Sequence, residues 1–286
     1  MKYTKSPLDL QDQLNHINTQ YNINCDDKDK ALFYLKHHNY YRLRGYWLYF
    51  EKKGLNATFE DVINLYEFDA ELRLILIKYL QHIELSIKSI FAYTLTTKYN
   101  NPHILLNKDI FNSEYYYNQG INKLKSTFSD DDEIFTIHYK NTYDEVLPPL
   151  WVCVELMTFG ELSKWIKNLN DKDTKLIAKE YNIKSAHIFK SFLYHLTEIR
   201  NRCAHYSRIW NKSFSHKFTI PKQYKNNFNT RNYKLSHSLL VIRLLSKNLT
   251  YNNNIIDEII DLSKKYEVSC NEMGLNEKIL KELQSI

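Results

Sequence analysis

An all-α protein is what this sequence predicts, on three observations. Glycine and proline are scarce, five of each in 286 residues, and folds built on tight turns need more of both. Apolar residues recur at helical spacing through a long stretch from Thr58 to Tyr99. Residues that start helices stand where such patterns begin, as in Ser6-Pro7, Thr158 with Glu161, and Ser185.

Taken in order, Ser6 caps and Pro7 opens a first helix carrying Leu10, Leu14 and Ile17 at helical spacing. A second helix is expected from Asp27 to His38. NYYRLRGYWLYF, Asn39 to Phe50, reads as a turn or short extended segment, because its aromatics miss the helical period and Gly45 interrupts it. Leu65, Phe68, Leu72, Ile75, Ile83, Ile87 and Ile90 then suit one or two long helices, which Asn100-Asn101-Pro102 end. Residues 103–148 are more polar, with three tyrosines at 115–117 and the run SDDDE at 129–133; one helix flanked by solvated loops, an insertion, is the reading. Thr158 and Glu161 have the spacing of a capping box and begin the helix ELSKWIKNL. Ser185 caps a helix whose inner face holds Ile188, Phe192, Leu196 and Ile199. Two or three more helices follow between Tyr233 and Leu283. With no internal repeat and no interdomain linker, residues 1–286 read as a single domain, long enough to bury a sizeable core.

Composition narrows the function. The net charge of +6 permits a polyanionic partner, although the richness in Lys, Asn, Tyr and Ile is equally what an AT-rich genome encodes. Cys25, Cys153, Cys203 and Cys270 are far apart with no CxxC pair, which argues against a zinc knuckle or disulfide framework and for free thiols in a reducing cytoplasm. The paired His37 and His38 lack further ligands at metal spacing. No glycine loop for phosphates is present, so an NTPase is not expected, and no cofactor is called for. The N-terminus lacks the apolar core of a signal peptide. The most apolar region, Leu72 to Leu95, is broken by Lys78, Gln81, His82, Glu84 and Lys88, so no membrane span is expected.

Chemistry concentrates in EIRNRCAHYSR, Glu198 to Arg208, at the C-terminal end of the Ser185 helix. Histidine is the side chain that titrates nearest neutral pH, as general acid–base work requires. An arginine fork grips a phosphate bidentately. Together they can cleave RNA without a metal. Asn201 and His205, four residues apart, share a helix face. Arg200 and His205 are five apart and diverge by roughly 140° on an ideal helix, so they meet only if Arg200 reaches across or the helix loosens. From spacing alone, a helix end with surface charges is the commoner meaning of such a pair. A second cluster, Lys36, His37, His38, Tyr40, Tyr41, Arg42 and Arg44, suits phosphates and unpaired bases; equally, Tyr40, Tyr46, Trp47 and Phe50 suit a core. His195, ten residues before His205, reads as a core histidine.

RNRCAHYSRIWN, Arg200 to Asn211, resembles the Arg-Asn-x-x-x-His signature of the HEPN superfamily of RNases. NYYRLRGYWLYF, LYEFDAELRLILIKYLQHIELSIKS and LPPLWVCVELMTFGELSKW resemble, in order, three further segments of its abortive-infection (Abi) branch. The resemblance spans roughly residues 39–211; nothing after Asn211 is recognised. It implies a HEPN-like helical bundle with additional helices, and a homodimer whose two Arg–His sites share a cleft. It implies a cytoplasmic, metal-independent endoribonuclease of phage defence, in some members a toxin restrained by a small non-coding RNA. The other reading is an RNA-binding module of the same fold without catalysis. On that resemblance Arg200 is the phosphate stabiliser, His205 the acid–base residue, and Asn201 the polar group that positions them. The resemblance also implies an RNA contact for Arg208; the basic aromatic cluster, on its RNA-binding reading, adds Lys36, Tyr41, Arg42 and Arg44 as expected RNA contacts. Asp69, Arg73 and Glu84 are structural, as buried polar pairs that anchor the signature helix.

Overall fold

The computed structural model describes residue 2, residues 6–228, residues 231–247, residue 249 and residues 253–286. Helix α1 (Leu10–Tyr21) starts later than Ser6-Pro7 suggests. The Asp9 carboxylate accepts from the Asp12 N–H and supplies the cap directly before the first apolar residue. The two-residue strand β1 (Ile23–Asn24) and then α2 (Lys28–His38) follow, with Asp27 as cap.

The turn expected over Asn39 to Phe50 is instead a helix, α3 (Tyr40–Lys53). Asn39, at φ +67°, caps it by accepting from the Tyr41 N–H. Leu43, Tyr46 and Trp47 line its buried side. The aromatics go all round because α3 packs against α1 and α2 as well as the long helix that follows. Gly45 costs a helix about 1 kcal/mol; each large buried side chain returns about 1.5–3 kcal/mol, so packing decides the conformation.

Strand β2 (Ala57–Thr58) pairs in parallel with β1, Ile23 opposite Ala57. Thr58 and Asp61 then form a capping box for α4 (Phe59–Tyr99), one unbroken helix of 41 residues, about 60 Å long. Its left-handed C-cap is Asn100. The helices at Leu150–Cys153, Asp171–Lys179, Ala186–Ala204, Leu235–Ser246 and Ile255–Lys265 pack around α4, as does α3. The helix is therefore the axle on which the site is mounted.

Between 103 and 148 two helices form where one is expected: α5 (Glu114–Asp130) and α6 (Ile134–Thr142). The acidic run is divided. Ser129 and Asp130 finish α5, while Asp131 accepts from Thr136 and, through its carbonyl, from Lys140. Helix α7 (Leu150–Cys153) is a single turn. In α8 (Phe159–Asn168) the Thr158–Glu161 capping box is present. Helices α9 (Asp171–Lys179) and α10 (Ala186–Ala204) follow, α10 capped by Ser185 and packed on α4, α8 and α9. The chain closes with α11 (Leu235–Ser246), α12 (Ile255–Lys265) and α13 (Glu277–Ser285). The all-α class holds, and no described helix is long and apolar enough to cross a membrane.

Candidate active site at the end of α10

Helix α10 ends inside the arginine–histidine stretch. His205 is its C-cap, and Tyr206 follows in the left-handed region at φ +56°. The Tyr206 N–H reaches back to the Cys203 carbonyl and the Ser207 N–H to that of Arg202. This is the paired closure that usually ends on glycine; a tyrosine there costs about 1 kcal/mol. The Asn201, His205 and Tyr206 side chains are exposed.

Two helices hold this end. From α3, Arg42 donates to the Tyr206 carbonyl, and the Arg208 guanidinium reaches the Gly45 carbonyl from the other side. From α4, the Asp69 carboxylate accepts from the backbone N–H groups of Ile209 (3.1 Å) and Trp210 (2.6 Å), from the Tyr46 hydroxyl (2.6 Å) and from Arg73 (2.6 Å). Asp69 is fully buried and Arg73 nearly so. Burial pushes the Asp69 carboxyl above its usual value, outweighing the downward pull of Arg73 and the other donors. Every polar neighbour is a donor, so only the carboxylate satisfies them all.

A second carboxylate holds the next stretch. Glu198 accepts from Arg202 Nε (3.0 Å), the Ser215 N–H and hydroxyl (2.9 and 3.0 Å) and the His216 N–H (2.7 Å). Burial works to raise this carboxyl, but the His216 N–H, Arg202 and Ser215 outweigh it and hold it below its usual value.

The sequence-predicted residues fall into separate places. Arg200 leaves the His205 face and pairs with Glu84 of α4, Nε to Oε2, at 3.2 Å. A guanidinium carries five N–H donors, so that pairing leaves others able to meet a phosphate. Arg208 spends part of its fork on Gly45 and lies 6.0 Å from the Tyr46 ring centroid. In the basic aromatic cluster, Lys36, Tyr41 and Arg42 are exposed. Arg44 points elsewhere: its hydrogen bond to Tyr21 of α1 raises its pKa further. Tyr46 and Trp47 are core. The α3 helix thus divides the cluster, with Arg42 turned to the candidate site and Arg44 away from it.

His195 is wholly buried. Its Nδ1 bonds the His216 carbonyl and its Nε2 the Ser238 hydroxyl at 2.9 Å. Burial lowers its pKa to about 4, against smaller opposing effects of the His216 carbonyl and Glu198. It is a neutral strut under the site. Among the described residues no group of three His, Cys, Asp or Glu is arranged to hold a metal ion.

Sequence reasoning missed Glu198, Tyr206 and Lys212. Half-buried Lys212 has its pKa lowered by burial and by the charges of Arg208 and Arg202. The i, i+4 spacing of Glu198 and Arg202 was the available signal for the first. The other two depend on how the chain turns after His205.

An all-α protein whose longest helix anchors an Arg-Asn-x-x-x-His helix end is the class that fold and site define. Residues 33–211 match the family model described as Abi-like protein. The chain belongs to that family. Comparison with curated proteins and with solved structures gives no match.

Proposed function

We propose that this protein is a cytoplasmic, metal-independent endoribonuclease of phage defence, built on a HEPN-like bundle, acting as a homodimer and restrained by a small RNA. Membership of the Abi-like family supports the abortive-infection role. The observation that carries the catalytic reading is His205, an exposed histidine on a helix end held by a buried carboxylate and two arginines. Positioning of this kind is what acid–base catalysis needs.

In the proposed reaction the ribose 2′-oxygen attacks the adjacent phosphorus as its proton passes to one histidine. Arg200, oriented by Glu84, stabilises the charged phosphorane. The bond to the 5′-oxygen breaks, and that oxygen takes a proton from an imidazolium. The products are a 2′,3′-cyclic phosphate and a 5′-hydroxyl. One chain supplies a single His205; a twofold partner would present the second beside it. The second reading is an RNA-binding module without catalysis, in which the Arg200 donors left over by Glu84 hold a phosphate and His205 transfers no proton.

The test is cleavage of single-stranded RNA by purified protein and by His205→Ala, with product ends read by mass spectrometry and EDTA present. The expected loss is about 10²–10⁴-fold with helical circular dichroism retained. Full activity in folded His205→Ala, or strict dependence on magnesium or manganese, removes the mechanism. Mixed dimers of wild-type and His205→Ala chains should fall far below half of wild-type activity; half would mean that each protomer works alone.

A further inference from the structure

Helix α10 presents more than His205 on one face. Positions 194, 201 and 205 are seven and four residues apart and fall within about 40° of one another around the axis. Tyr194, Asn201 and His205 are all exposed, Tyr194 by 43%. Tyr194 lies about 16 Å along the helix from His205.

Tyr194 does not stand alone. The His216 ring lies flat on it, centroids 3.9 Å apart and planes inclined by 12°. That ring is tethered three ways. Its Nδ1 donates to the Tyr194 carbonyl (3.0 Å), its backbone N–H donates to Glu198, and its carbonyl accepts from His195 Nδ1. Buried Glu198 and His195 thus do the positioning, while the rings they place stay at least partly open to solvent. Exposed Lys167 of α8 sets its ammonium 5.7 Å from the Tyr194 ring centroid.

An aromatic platform with a flanking cation is the composition that receives single-stranded nucleic acid, bases on the rings and phosphates on the charge. We infer that the Tyr194–His216 pair is a base-stacking station for single-stranded RNA, on the same face of α10 as His205. An unpaired base adds a third ring to the pair, and Lys167 meets its phosphate. The strand then runs along α10 past Asn201 to His205. This deepens the proposed ribonuclease reading and rests on it for the identity of the ligand. It assigns Tyr194 and His216 to substrate positioning, with no part in bond making.

The experiment uses the full chain and single-stranded RNA oligonucleotides carrying one 2-aminopurine, moved position by position. A stacked 2-aminopurine loses fluorescence. Expected is quenching confined to one register, abolished in Tyr194→Leu and His216→Leu and kept in Tyr194→Phe. Stacking is worth about 1–3 kcal/mol per base, so each leucine variant should weaken binding by about 5- to 150-fold. Quenching and affinity unchanged in both leucine variants, or no binding of single-stranded RNA by wild type, would overturn the station. The two readings separate cleanly. Wild type that binds and quenches but cleaves nothing keeps the station and loses the nuclease. Wild type that cleaves, with KM and quenching indifferent to Tyr194→Leu and His216→Leu, keeps the nuclease and loses the station.

Discussion

Asp69 and Glu198 hold the two ends of one segment, residues 209–216, with nearly the same set of donors. Each has an arginine four residues on, a hydroxyl, and two consecutive backbone N–H groups. Their carboxyls nevertheless move in opposite directions, Asp69 upward and Glu198 downward. The donors do not differ enough to explain this; depth does. Asp69 lies wholly inside, where desolvating a carboxylate outweighs what its partners return, and Arg202 beside Glu198 still touches solvent. Nearly the same donors can therefore serve a costly anchor deep in the core or a favourable clamp closer to the surface.

The sharpest way to break that comparison is to remove each charge in turn. Asp69→Asn turns an amide donor toward existing donors and leaves Arg73 buried without its counter-ion. A loss of about 3–5 kcal/mol is expected, read by urea denaturation. Glu198→Gln, at the shallower clamp, should lose about 1–3 kcal/mol. Equal losses would mean that depth does not govern the pair.

Acid sharpens it next, through the strut between the clamps. His195 has a folded pKa of about 4 against an ordinary 6.5. Between those values the unfolded chain binds more protons than the folded one, so stability falls as pH falls. The contribution is complete above pH 6.5 and about 3 kcal/mol of it is gone near pH 4. Glu198 attracts a proton to His195, and His237 and His216 oppose one. Comparing wild type with His195→Gln from pH 7 to 4.5 isolates the effect. Parallel acid profiles would show that His195 does not titrate in this window.

The smallest effect is at the turn itself. Tyr206 occupies a left-handed position and is 68% exposed. Tyr206→Gly should stabilise by up to about 1 kcal/mol, because glycine takes that conformation without a Cβ clash. A loss in its place would mean that the tyrosine ring contributes contacts worth more than the strain.

Much of the helix plan was legible because its signals are local. The Thr58–Tyr99 period, the Thr158–Glu161 box and the Ser185 cap depend on residues within a few positions of one another, and α4, α8 and α10 begin there. The candidate site was legible as a motif: Arg200, Asn201 and His205 stand at the end of α10, the helix end expected for them.

What the chain could not announce locally was α3. Its aromatics and Gly45 read as a turn because the neighbours that make a helix worthwhile, α1, α2 and α4, come from elsewhere in the chain. The same holds for the site's support. Asp69 meets Ile209 and Trp210 across 140 residues and more, Arg42 meets Tyr206 across 164, and Arg200 meets Glu84 across 116. By itself the sequence determined where helices start and which titratable groups crowd one helix end, since backbone capping and periodic burial act over one or two turns. Only the tertiary structure decided which carboxylate is buried, which arginine is already engaged and which rings face solvent. Those outcomes depend on desolvation and on partners brought together by packing, which no short window of residues contains.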